Sequence, residues 1–201
     1  FNLQALYDDF PKIKSVIGSE GKDKRFRNNI FEKVDVFLES KNRAADISVL
    51  GVIKNKRVWR YISEKYVDKT HENIDTWKVL VARVNGAGTI DEVLSSPLVI
   101  GPHCGYTQTF IGIGAFDTKE NAENALKYVK TKFARALLHV LKVTQDNNRD
   151  VWKYVPLQDF TDKSDINWNT SIANIDKQLY KKYGLSQEEI DFIETHVKEM
   201  V

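Results

Sequence analysis

The sequence predicts an α+β fold, with a strand-rich first part followed by helices. Three observations carry the prediction. Runs of β-branched and aromatic residues, punctuated by Gly and Pro, fill residues 46–116. The apolar period changes at Asp117 from alternation to helical spacing. The chain then ends on a Ser186–Glu189 capping box and the segment that follows it.

Taken in order, the polar, Gly-containing stretch from Gly18 to Asn29 predicts a loop. "IFEKVDVFLES" (30–40) fits a short strand or a helix, and its alternating Ile, Val and Phe favour the strand. In "DISVLGVIKNKRVWRYI" (46–62), Ile47, Val49, Val52 and Ile53 mark a strand. "KNKR" is its turn, and "VWRYI" leads away. "TWKVLVARVN" (76–85) is another strand, with Val79, Val81 and Arg83 on one face. "GAGT" then breaks it, and "PLVIGP" (97–102) and "YTQTFIGIGAF" (106–116) add further strands. "DTKE" offers Asp117 as N-cap with Glu120 three residues on. Ala122, Ala125, Leu126, Val129, Phe133, Leu137 and Val140 then recur at helical spacing, predicting one helix from 118 to about 143. At 1.5 Å per residue it would be roughly 40 Å long. A short helix follows at 172–183, with Leu179, Tyr180 and Tyr183 on one side, and Gly184 stops it. The whole is taken as one domain, 1–201, with 1–45 a lead-in, 46–116 strand-rich and 117–201 helical.

The totals exclude several classes. With 42% hydrophobic and 29% charged residues, the chain can bury a core. A net charge of +2 is too mild to demand a polyanionic partner, so placement of the 30 Lys and Arg decides. The single Cys104 forbids an internal disulfide and fits a reducing, cytoplasmic compartment. No run of 18 apolar residues exists, so no membrane partner is expected. Phe rather than Met at position 1 leads to the expectation of a piece of a longer protein.

Catalytic motifs are few. There is no GxxxxGK[ST] loop, and "GIGAF" (112–116) and "NGAGT" (85–89) fall short of GxGxxG. His103 and Cys104 are adjacent, a poor spacing for one ion, while His71, His139 and His196 lie far apart. Asp9 followed by "EGK" (Glu20, Gly21, Lys22) resembles the carboxylate and E-x-K grouping that metal-dependent nucleases use to hold Mg²⁺ and orient water.

Cations are more telling. "KNKRVWR" (54–60) sets Lys54, Lys56, Arg57 and Arg60 around Trp59. Such a turn suits phosphates or base edges, and equally suits a solvated hairpin tip. Tyr128, Lys132, Arg135, His139 and Lys142 are spaced 4, 3, 4 and 3, which forms one stripe beside the apolar one on a continuous helix. Acids gather elsewhere: Glu188, Glu189, Asp191, Glu194 and Glu199 load the final segment.

"FDTKENAENALKYVKTKFARALLHVLKVTQDNNRDVWKYVPLQDFT", "SDINW" and "LYKKYGLSQEEIDFIETHVKEM" resemble C-terminal segments of adenine-specific DNA methyltransferases of bacterial restriction–modification systems, including enzymes that also cut DNA. "GVIKNKRVWRYI", "WKVLVARVNGAGT" and "TFIGIGAF" resemble their target-recognition region. The resemblance covers most of 46–200 and is most specific over 116–200. The family's Asn-Pro-Pro-aromatic motif and its Gly-rich loop for S-adenosylmethionine are absent here, so no position inherits a catalytic role and no cofactor is expected in this chain. The resemblance implies a DNA-recognition part that binds double-stranded DNA and joins an upstream methyltransferase domain holding S-adenosylmethionine. The expected DNA contacts are Lys54, Lys56, Arg57 and Arg60, then Lys132, Arg135 and Gln108, with Gly86 and Gly88 of "VNGAGT" approaching the backbone closely. "VWKYVPLQDFT" (151–161) is expected to be a seam packed through Val151, Tyr154, Val155, Leu157 and Phe160, with Gln158 and Asp159 bonding to backbone and Lys153 open to contact. The rival expectations are a nuclease at Asp9, Glu20 and Lys22, and a docking module using the acidic final helix.

Overall fold

A computed structural model describes residues 1–17, 25–44, 46–70, 72–84, 94–141, 146–147 and 149–200. The fold is α+β. The chain divides into two compact units, one of residues 1–77 with 100–110, the other of 78–99 with 111–201. Apolar side chains from residues 1–45, among them Leu6, Ile13, Ile30 and Phe37, contribute to the first unit's core.

In the first unit, short helices α1 (Leu3–Asp9), α2 (Ile13–Ile17) and α3 (Ile30–Lys33) precede a hairpin of β1 (Ile47–Ile53) and β2 (Lys56–Ile62). Leu6, Ile13, Ile17, Ile30, Val34 and Phe37 bury against Ile47, Val49 and Ile62. The strand expected at 30–40 is thus a helical turn followed by a second turn at Asp35 and Val36 and a single bridging residue. Leu38 alone exchanges backbone bonds there, with Tyr61 at 2.8 and 2.9 Å. A short strand β5 (Cys104–Tyr106) runs parallel to β1, giving the order β2-β1-β5.

The second unit is built on β3 (Trp77–Ala82), which lies between β4 (Leu98–Ile100) and β6 (Phe110–Phe116). Lys78, Val79, Leu80 and Val81 of β3 are all buried, so the expected one-sided alternation is lost. Arg83, just past the strand, meets Asp146 at 3.3 Å. Thr118, not Asp117, caps the next helix, its side chain accepting from the Asn121 N–H at 3.2 Å.

The long helix is two: α4 (Lys119–Lys130) and α5 (Lys132–Leu141). Thr131 leaves the helical region at ψ 149°. Its hydroxyl donates to the Tyr128 carbonyl at 2.6 Å and accepts from the Ala134 N–H at 3.1 Å, ending one helix and starting the other. After α6 (Arg149–Trp152), the chain reaches α7 (Ile172–Lys182) and α8 (Gln187–His196). Gly184 at φ 64° turns the chain between them, and the Ser186–Glu189 capping box is present as expected. Val79, Tyr128, Phe133, Phe160, Trp168, Ile175 and Leu179 form the main core of this unit.

Candidate nucleic-acid interface

The hairpin is the place where four expected contact residues meet. Lys54 and Asn55 both take positive φ, 48° and 61°, between the paired Ile53 and Lys56. This is a two-residue turn whose twist matches its strands. The turn is therefore shorter than "KNKR", and Lys56 and Arg57 already belong to β2. Strand alternation then divides the cations. Arg57, Trp59 and Tyr61 share one face, while Lys56, Val58, Arg60 and Ile62 share the other, which leads down to the core.

Support for the tip comes from below. A Cβ at Gly51 would lie 2.3 Å from the Phe31 ring, so the glycine lets that ring close against the hairpin. The β5 strand pairs only with Ser48–Leu50. Beyond it, three residue pairs from Gly51–Val58 to Ile53–Lys56 form a two-stranded ribbon, roughly 10 Å long at strand rise. Lys54, Lys56 and Arg57 are exposed on that ribbon. The Arg57 guanidinium lies 5.5 Å from the Phe110 ring centre. Arg60 is held lower down, its Nη2 3.0 Å from Glu39 Oε1 and its Nη1 3.1 Å from the Trp59 carbonyl. From Ile47 to Ile62 there is no Asp or Glu, so four cations face no carboxylate within the hairpin itself. Sequence reasoning saw the cations and missed both this absence and the division between faces.

Gln108 lies in the turn after β5, in the same compact unit, where its N–H bonds to the Phe26 carbonyl at 2.8 Å. Residues 85–90, including Gly86 and Gly88, lie outside the described residues.

The helical cation stripe does not exist as expected. The break at Thr131 changes the phase, and Tyr128 and Arg135 are buried. Arg135 is 1% exposed. Its guanidinium donates to the Lys130 carbonyl at 3.2 Å, the Thr131 carbonyl at 3.4 Å and the Lys198 carbonyl. It thereby ties the Lys130 carbonyl at the end of α4 to the start of α5. The Lys132 ammonium sits 2.6 Å from Glu194 Oε2, with its side chain 13% exposed. Burial works against the Glu194 carboxylate, but the Lys132 ammonium and the Tyr180 hydroxyl hold its pKa below the usual range. Lys142 lies outside the described residues. Lys132 and Arg135 are thus bonded within the fold.

Asp176 is the centre of that network. Its carboxylate accepts from the backbone N–H groups of Lys132 at 3.1 Å and Phe133 at 2.9 Å, capping α5 from a distant helix. Burial nonetheless raises its pKa to about 6, against those two bonds.

Of the nuclease grouping only Asp9 lies among the described residues. Asp9 accepts from Lys65 Nζ and the Tyr66 hydroxyl, each at 2.6 Å, and these bonds lower its pKa. Glu20 and Lys22 lie outside the described residues. Among the described residues no group of three His, Cys, Asp or Glu is placed to hold a metal.

The 151–161 segment is a seam only in part. Val151 and Phe160 are buried, whereas Tyr154 is 59% and Leu157 89% exposed. Gln158 donates to the Pro156 carbonyl at 3.0 Å and to the Tyr183 hydroxyl at 2.7 Å, and accepts from Lys182 at 2.9 Å. Asp159 accepts from the Thr161 N–H at 2.9 Å. The Lys153 ammonium lies 4.9 Å over the Tyr154 ring and 4.0 Å from Asp150.

No family model, no curated protein and no solved structure matches the chain.

Proposed function

We propose that the chain is the DNA-recognition part of a restriction–modification adenine-specific DNA methyltransferase, holding double-stranded DNA through the β1–β2 hairpin. The observation that carries it is the ribbon tip, where Lys54, Lys56 and Arg57 stand exposed on a hairpin without a single acid. A two-stranded ribbon has the width of a major groove, and cations at its end meet phosphates on the rims. The resemblance of residues 46–200 to the methyltransferase C-terminal region supplies the parent enzyme. Methyl transfer belongs to an upstream domain that binds S-adenosylmethionine, because this chain has neither a Gly-rich loop for the donor nor the Asn-Pro-Pro-aromatic motif.

Anisotropy of a labelled random-sequence duplex at 50 and 200 mM salt tests the proposal. Three phosphate contacts imply roughly a 40-fold loss of affinity over that range, and a single contact only about fourfold. Lys56→Ala/Arg57→Ala is expected to weaken binding at low salt and flatten the salt dependence. Salt-insensitive binding, or full affinity in the double variant, would remove the hairpin from the DNA.

A further inference from the structure

A site for phosphates alone has no use for an indole. Trp59 is nevertheless 37% exposed, between Arg57 and Tyr61 on the face of β2 turned away from the Ile47–Val49–Ile62 core. Leu38 closes the outer edge of β2 at Tyr61, two residues short of Trp59. Arg57 and Trp59 share this face two residues apart, with the Arg57 guanidinium over the Phe110 ring. Every base has a π-face, and an aromatic beside a cation accepts base and phosphate of one nucleotide together. Within a paired duplex those π-faces are already stacked and closed to a side chain.

We propose that Trp59 stacks on an unpaired base while Arg57 holds a flanking phosphate, so that the hairpin prefers DNA containing an unpaired nucleotide to the fully paired duplex. The inference rests on the DNA-recognition reading of the same hairpin and specifies the form of DNA it takes. Base–aromatic stacking is strong enough to give at least roughly a fivefold preference. A bulged duplex also bends more easily, which by itself favours any DNA-bending protein. Variants at Trp59 separate the two causes.

The test compares the whole chain on a fully paired duplex and on the same duplex with one central unpaired adenine, at 50 mM salt. Wild type is expected to bind the bulged duplex at least roughly fivefold tighter. Trp59→Leu is expected to bind both alike, at the paired-duplex affinity, and Trp59→Phe to retain most of the preference. Circular dichroism of the variants confirms an unchanged fold, as expected for a half-exposed side chain. Equal wild-type affinity for the two duplexes overturns the stacking inference and leaves the DNA reading standing. A preference that survives Trp59→Leu assigns it to DNA flexibility and overturns the inference equally. Failure to bind either duplex overturns the DNA reading and this inference with it.

Discussion

Arg135 and Asp176 show how a charged residue can be committed to architecture. Arg135 bonds to the Lys130 carbonyl at the end of α4, and Asp176 closes N–H groups at the start of α5. Removing a buried hydrogen-bonded charge leaves its partners unsatisfied, so Arg135→Ala should destabilise the fold by about 3 kcal/mol. Denaturant unfolding measures that loss, and the folded variant should bind duplex DNA like wild type. Asp176 has a pKa of about 6 in the fold against an ordinary value of 3.8. The native state therefore binds the extra proton between those values, and this group's contribution to stability rises as pH falls through 6 and levels off below about 4. Glu194 and Arg135 face it with opposite charge effects, and Lys132 sits beside its bonds. Stability curves from pH 7 to 4 should differ between wild type and Asp176→Asn in that window, with the wild type gaining relative to the variant as pH falls.

At the scale of elements, the hairpin and the broken helix differ in where their instructions lie. The hairpin is local: alternation, a two-residue turn and a glycine opposite a ring suffice. Gly51 is its most sensitive point, because any Cβ there drives into Phe31. Gly51→Ala should destabilise the first unit by about 1–3 kcal/mol. If instead the melting temperature is unchanged, the Phe31 ring is not what seats the ribbon. The break between α4 and α5 depends on Asp176, which lies 44 residues beyond Lys132 in sequence. A periodic apolar pattern continues across Thr131, so spacing alone predicts one helix. The cation stripe inferred from that continuous helix failed for the same reason.

Across the whole molecule, the legible parts were those set by neighbours in sequence: the α+β class, β1, β2, the Gly184 stop and the Ser186–Glu189 box. The 30–40 segment was not legible because Ile30, Val34 and Phe37 bury within a compact unit whose other members come from far along the chain. Strand β3 reads as one-sided in sequence, yet Lys78 and Leu80 are as buried as Val79 and Val81. At the site, the exposed cations were legible by composition, whereas the two faces of β2 and the setting of Trp59 required the register. No helix among the described residues is long and apolar enough to cross a membrane. The central claim is that DNA is held by the ribbon between Gly51 and Val58, with Trp59 at its base, and not by the helical cations. It is tested most directly by titrating the isotope-labelled chain with duplex DNA and following each backbone amide by NMR. The account predicts that the largest shifts cluster at residues 52–59, with Lys132 and Arg135 little changed. Shifts concentrated on α5 and α8, with the ribbon silent, would contradict it.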